Sequence, residues 1–393
     1  MSRVQPKQGL TRRPRLVPGP ALLPPVHPAK FTPMTAVVIQ NPNRLGYIKR
    51  DKKRYTLLRE RRRYPALWAK AGAVPSLDLR FADNKSLVDA VTGQSLVTFT
   101  RASSGTFVDS AGLITTATTN EPRFDHNPTT GESLGLWVEE ARTNLVLNSG
   151  TLLTQSVTVT AVAHTLHFTG TGTITLTGVS TAGPLVGIGT GEFNRVSLTF
   201  TPTAGSLTLT VSGTVTNAQL EAGAFRTSYI PTTTATATRA ADVASITGSA
   251  FSSWYRQDEG TIYVQGSTSA SASNPILLSI EDGTVNERIQ IRRIVASNLA
   301  HGSVADGGVS QGAPSVTGFN ANTIGKICMT YALNNLQLSF NGALGIADTS
   351  ATIPTVDRAF IGSASSPLYA NGHISRLTFW PQALLSRLQS ITQ

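Results

Sequence analysis

Three pairs of adjacent carboxylates, Glu139 with Glu140, Asp258 with Glu259 and Glu281 with Asp282, are the first residues in this 393-residue chain that invite acid–base chemistry. Cleavage of a glycosidic bond by two carboxyl groups needs them roughly 5 to 9 Å apart across a cleft. Neighbours in a strand point to opposite faces, so no pair serves by itself, although one carboxylate from each of the later two could meet across a sheet. His164 and His167 lie three apart in a strand-like segment, which also puts them on opposite faces and prevents them from chelating one metal ion. His126, His301 and His373 stand alone, as surface or turn histidines usually do. The glycine-rich stretch GVSTAGPLVGIGTGEF has neither the lysine nor the strand-to-helix setting of a phosphate loop and reads as turns. Cys328 is the single cysteine, so an intrachain disulfide is excluded, and KICMTYAL reads as a buried strand of a protein folded in a reducing compartment.

The elements that must position these residues are strands. From Ser76 onward, segments such as SVTVTAV, TITLTG, VSLTFT, SLTLTVSG, TIYVQG, LQLSFNG and ISRLTFW alternate apolar residues with Thr or Ser at period two, bounded by Gly, Asn or Pro. Such strands have one apolar face to bury and one hydroxyl face to expose, which predicts an all-β protein of antiparallel β-sandwiches. Two jelly-roll modules are expected: residues 76–230 as a first β-rich block and sandwich, then 231–244 as a Thr/Ala-rich linker, then 245–393 as a second sandwich. A short amphipathic helix over Gln382–Ile391 is expected to close the chain, seating Leu384, Leu385 and Leu388, with Trp380 beneath it.

Charge divides the chain differently. Met1 to Lys70 holds 17 Lys and Arg against 2 Asp and Glu, whereas residues 71–393 hold 16 against 20. The basic pI therefore belongs to an arm, residues 1–75, whose first part is punctuated by eight prolines from Pro6 to Pro33 and reads as extended. Lys49 to Tyr64 is long enough for about four helical turns before Pro65, marginal in isolation. Docking onto an acidic protein surface is the preferred reading of its cationic clusters. Nucleic acid ranks below it, and no face is apolar enough for a membrane surface. The apolar run LVPGPALLPPV is too broken by proline for a secretory leader, and no run approaches the roughly 20 residues of a membrane span.

Two blocks carry a resemblance. FTRASSGTFVDSAGLITTATTNEPRFDHNPTTGESLGLWVEEARTNLVLNSG (99–150) and QLEAGAFRTSYIPTTTATATRAADVASI (219–246) resemble paired blocks of bacteriophage tail-fibre and other virion appendage proteins. The C-terminal module, with GTIYVQG, NNLQLSFNG, RAFIGS and GHISRLTFWPQAL, is similar to concanavalin A-like, laminin G-type jelly rolls. The resemblance implies a structural, non-enzymatic virion protein, assembled in a bacterial cytoplasm. In that picture the arm anchors it to other virion proteins through Lys49, Arg50, Lys52, Lys53, Arg54, Arg59, Arg61, Arg62 and Arg63, while the sandwiches meet a host glycan or neighbouring subunits. A trimer would suit a fibre. A capsid decoration or head–tail connector protein is the alternative, and a glycan depolymerase the third reading. Against the last, the E-x-D-x-E string of concanavalin A-like glucanases is missing.

Laminin G-type modules often hold Ca²⁺ at the sandwich rim, which makes Asp282 and Asp306 the candidate ligands, each equally well read as a turn residue; no other cofactor is implied. For a glycan the candidates are Trp254, Tyr255, Tyr369, Asn371 and His373, as loop aromatics and polar donors. Trp254 and Tyr255 also fit a packing role at the module junction. Arg123, Asp125, Glu139, Glu140 and Arg142 bring opposite charges close together, as in an ion-paired corner between modules.

Overall fold

A computed structural model describes residues 66–270, 273–366 and 368–393. The nine anchoring cations and the helix expected over Lys49–Tyr64 lie outside the described residues. The chain is all-β, with antiparallel sheets packed as sandwiches. No helix among the described residues is long and apolar enough to cross a membrane.

The large sandwich is made of two eight-stranded sheets. In the first, strands run in the order Ala343–Leu344, Asn335–Phe340, Gly325–Ala332, Glu259–Gly266, Gly372–Trp380, Ser133–Val138, Phe124–His126, with Leu77–Leu79 also pairing with Gly372–Trp380. The second runs Thr98–Thr100, Val243–Thr247, Arg358–Ile361, Ile276–Glu281, Arg288–Ile294, Leu299–Asp306, Val309–Gly312, with Ser315–Thr317 also on Leu299–Asp306. Alternation does what it predicts. Ile289 and Ile291 face Leu278, Ile280, Val304, Ala359 and Ile361 in a core shared with Ile262, Val264, Leu377 and Phe379 of the other sheet. Cys328 is fully buried in its strand.

The small sandwich packs a four-stranded sheet, Leu185–Val186, Thr173–Gly178, Gly205–Ser212, Gln155–Val159, on a three-stranded one, Val196–Phe200, His164–Gly170, Val215–Ala222. It has its own core around Leu166, Phe168, Ile174, Leu207, Leu209 and Leu220. On the four-stranded sheet the hydroxyl face is exposed as expected, with Thr175 opposite Thr210 and Ser206 opposite Thr158. On the three-stranded sheet it is not. Thr165, His167 and Thr169 are buried, because Thr165 Oγ1 donates to the returning chain at Gly223 O, 2.8 Å, while His167 meets Glu221 and Arg195.

The division of the chain differs from the one expected. The strands between residues 77 and 138 do not build the first sandwich; apart from the hairpin of Gly105–Val108 with Ile114–Ala117, which forms a two-stranded sheet of its own, they complete both sheets of the second, with Leu77 opposite Phe379, Phe99 opposite Ala244 and Val138 opposite Gly372. The small sandwich is an insertion, entered and left through a two-stranded ribbon in which Arg142–Asn144 pairs with Ala237–Arg239. The crossing over 231–244 is therefore no bare linker, since it supplies that ribbon and a strand of the large sandwich. Period-two alternation names a strand's buried face and is silent on its partner, which is why this closure across some 300 residues was hidden.

A second apolar layer covers the outer side of the first sheet. Helix Ala66–Ala71 and C-terminal helix Leu388–Thr392 enclose Tyr263, Cys328 and Trp380, with Leu67, Leu388 and Ile391 buried and Leu384 packed beside them. The terminal helix is shorter than expected: Leu385–Arg387 is a 3₁₀ turn, and Leu385 faces solvent instead of seating. Asp78, wholly buried, ties the layer to the sheet. Its carboxylate accepts Trp68 Nε1–H at 2.9 Å, Thr378 Oγ1–H at 2.8 Å, Arg80 Nε–H at 2.7 Å and Arg376 at 2.7 and 2.8 Å.

Candidate functional site

Where the ribbon leaves the large sandwich, the two linking blocks meet in a buried charge network. Arg123 is at its centre. Nη1 donates to Glu139 Oε2 at 2.8 Å, Ser228 Oγ at 2.8 Å and Thr106 O at 2.9 Å, and Nη2 donates to Asp242. Arg101 Nη1 reaches the other oxygen of Asp242 at 3.0 Å, and Arg239 Nη2 lies 3.4 Å from Glu139. All five side chains are essentially inaccessible. Burial pushes the Glu139 carboxyl up, but Arg239 and Arg123, with the Ser228 hydrogen bonds, outweigh it and hold the pKa at about 2. Of the corner read from Arg123, Asp125, Glu139, Glu140 and Arg142, Arg123 joins Glu139 and Glu140 joins Arg142, with Arg101, Arg239 and Asp242 added, while Asp125 turns instead to His373 and the Val108 N–H.

Three of the expected glycan contacts lie beside this corner and face inward. Asn371 Oδ1 accepts the Glu140 N–H at 2.9 Å, and its Nδ2 donates to Glu140 Oε2 at 2.9 Å. His373 Nε2 is 2.7 Å from Asp125 Oδ2, and its ring lies 5.2 Å from that of Trp137. Tyr369 is half-buried against the large core. These side chains clasp the linking block to the jelly roll. Ser267 Oγ lies 3.4 Å from His373 Nδ1, so Ser267, His373 and Asp125 fall in a row. Proton transfer needs about 2.6 to 3.2 Å, however, and Ser267 is buried and accepts the His373 backbone N–H at 3.4 Å, so the row latches two strands.

The other two candidates are core residues. Trp254 and Tyr255 pack with Phe251, Tyr331 and Phe379 at ring separations of 4.6 to 6.0 Å, inside the large sandwich and not at the module junction. Asp282 Oδ1 accepts the Thr284 N–H and hydroxyl, both at 2.7 Å, and closes a turn, whereas Asp306, at the end of its strand, accepts from Thr352 Oγ1 of a distant segment. No group of three or more His, Cys, Asp or Glu that could hold a metal occurs among the described residues. His126, expected on the surface or in a turn, is buried, with Nδ1 3.1 Å from Val108 O; a strand from the linking block covers it.

The surface best suited to hold a ligand is one that the candidate list missed. On the outer face of the second sheet, register aligns Phe360, Ser279, Gln290 and Ser303 in one row across four strands. One row to one side come Arg358, Glu281, Arg288 and Ala305; on the other side Arg292 stands opposite His301. Ser279, Gln290 and Ser303 are buried, although they point away from the core, because the longer side chains flank them. The result is a trough, roughly 14 Å from end to end at the usual strand spacing, with Arg288 and Arg292 roughly 13 Å apart on its banks.

Its floor is polar and only half-satisfied. Gln290 Nε2 donates to Ser279 Oγ at 3.1 Å, and Ser279 in turn donates to Glu281, whose other oxygen accepts the Ser365 N–H at 3.1 Å. Gln290 Oε1 and Ser303 Oγ make no hydrogen bond to any described residue. Arg288 Nε is buried without a partner. Arg292 Nε donates to His301 Nδ1 at 3.4 Å; burial, reinforced by Arg292, pulls the His301 pKa down to about 4, leaving a neutral ring whose Nε2–H is a donor. Burial and the neighbouring Arg288 also lower the Arg292 pKa. The sequence signal was RIQIRR, where Ile alternates with Arg288, Gln290 and Arg292.

No family model matches the chain, and no curated protein matches it. Among solved structures it is similar to the CBM40 module of Ruminococcus gnavus IT-sialidase bound to α2,3-sialyllactose, at 16% identity and a TM-score of 0.31, over 35% of this chain and 83% of that one. The K499G mutant of NanB sialidase from Streptococcus pneumoniae follows at 15% and 0.31, over 35% and 24%. Trypanosoma rangeli sialidase matches at 11% and 0.31, over 38% and 25%. Likeness at this identity and TM-score does not bear on function.

Proposed function

We propose that this protein is a non-catalytic binding component of a larger particle, a bacteriophage tail-fibre or head-fibre appendage, fastened by its basic arm and meeting a saccharide through the trough. The observation that carries the glycan contact is the half-satisfied floor of Ser279, Gln290 and Ser303 beside the half-buried Phe360 ring. Sugar recognition takes an apolar ring face next to fixed hydroxyl and amide partners, and here both sit on rigid strands. The virion setting rests on the two linking blocks and on the confinement of the basic excess to the arm, which can be steered to an acidic partner while the remainder resists nonspecific adhesion.

Catalysis has no matching support. Glu139 and Glu140 are tied to arginines, and Asp258 and Glu259 both pair with Arg256, at 2.7 and 2.8 Å. The reading is tested by retention of the full chain on immobilised host polysaccharide, compared with Gln290→Ala and Phe360→Ala. Retention lost in both variants at unchanged thermal stability supports it; retention indifferent to both removes the trough from the reading.

A further inference from the structure

The trough is electrically lopsided in a way that neutral sugars do not require. Among the described residues no ion pair engages Arg288 or Arg292, while nearly every other buried or half-buried arginine on the large sandwich and at its junction has a carboxylate: Arg101 and Arg123 with Asp242, Arg239 with Glu139, Arg376 with Asp78. The exception, Arg293, is wholly enclosed by neutral acceptors, Thr268 Oγ1, Asn298 Oδ1 and Ser269 O, at 2.8 to 3.0 Å. Arg292 has neither kind of satisfaction. Its one described polar partner is a neutral imidazole, and its charged neighbour is another guanidinium. Glu281 is the only carboxylate in the rows described, and both its oxygens are occupied, by Ser279 and by the Ser365 N–H, on the bank away from Arg292.

Building on the glycan reading, we infer that the trough takes an acidic saccharide, whose carboxylate lies against Arg292 and the outer N–H of His301 while its ring hydroxyls meet Gln290 and Ser303. A guanidinium presents a planar fork that matches a carboxylate, and a half-buried one gains most from such a partner. A polyphosphate is the other anion chemistry to consider. It fits less well: residues 71–393 carry 20 acidic against 16 basic residues, and two arginines on opposite banks give no track for successive phosphates.

The test is calorimetric titration of the full chain with uronic-acid and nonulosonic-acid oligosaccharides, each beside its carboxyl-reduced counterpart, and with a random-sequence oligonucleotide. Variants Arg292→Gln, Arg292→Lys and Gln290→Ala are run in parallel, with thermal melts to confirm folding. At least one acid binds about ten-fold or more tightly than its reduced form; Arg292→Gln abolishes that preference, Arg292→Lys restores part of it, and Gln290→Ala weakens acid and reduced forms alike. Equal affinity for acid and reduced forms overturns the acidic specificity and leaves a neutral-glycan trough. Failure of every saccharide to bind overturns both. Binding of the oligonucleotide alone, with dependence on Arg292, overturns it in favour of a phosphate site.

Discussion

Arg123 shows what a single side chain does in this protein. Buried charges are tolerated only when paired, and here three guanidiniums share two carboxylates, so removing one anion leaves the cations uncompensated. Glu139→Gln is expected to cost about 3–5 kcal/mol in urea unfolding, whereas Arg358→Gln, whose exposed pairing with Asp357 is solvent-screened, should change it by less than about 1 kcal/mol. Acid acts on the same network. The Glu139 carboxyl lies below its ordinary 4.5, so its contribution is complete above that pH and is lost as pH falls toward 2. His301 lies below its ordinary 6.5, so the neutral ring favours folding above 6.5 and that contribution declines as pH drops toward 4. The melting temperature should therefore begin to fall below pH 6.5 and fall more steeply below 4.5. His301→Gln should reduce the first part without abolishing it, because burial also holds the His167 pKa below its ordinary value; a profile level down to pH 4 in the parent protein would contradict this. The charged corner was legible because four of its residues lie within twenty positions of one another. The trough was not, because Arg288, Gln290 and Arg292 look like any solvated strand face until neighbouring strands bring their rows together.

At the scale of elements, the helix Ala66–Ala71 is too short to be stable by itself and owes its place to Trp68, Leu67 and Ala71. Asp78→Ala should release it, exposing the Trp68 indole and opening the backbone near residue 70 to protease, while Arg376 loses its carboxylate. A red shift in tryptophan emission with cleavage confined to that segment is the expected signature. Gly372 makes a second test, since a Cβ there would stand 2.2 Å from the Ser267 carbonyl. Gly372→Ala should separate the strands beside the His373–Asp125 contact at a cost of about 1–3 kcal/mol, read by chemical unfolding. The strands and their apolar faces were readable, but the burial of polar faces, such as Thr165, His167 and Thr169, was not. Asp109 closes a turn, accepting the N–H groups of Ala111 and Leu113 at 2.9 and 3.0 Å, with Gly112 at φ +79°. Strand partnership was not readable, and the single error of assigning residues 76–138 to the first sandwich misplaced Trp254 and Tyr255 as loop candidates too.

For the whole molecule, the terminal apolar layer and the ribbon to the small sandwich lie at opposite ends of one strand. Gly372–Trp380 has Trp380 under the terminal layer and Gly372 beside Val138, from which the chain passes into the ribbon. Removal of residues 1–65 should leave the melting temperature of the remainder within a few degrees of the full chain, because both apolar cores lie beyond them, and should abolish incorporation into particles. Normal incorporation of the truncated chain would remove the anchoring role.

The pairing of Leu77–Leu79 with Gly372–Trp380 also determines how a pull is borne. The short strand enters antiparallel to its neighbour, Leu77 level with Phe379. Tension applied at residue 66 and resisted at Gly372 runs along both strands in opposing directions, so the inter-strand bonds and the Asp78 clasp must yield together instead of peeling one after another. A tether built this way resists sudden traction far better than its three-residue length suggests.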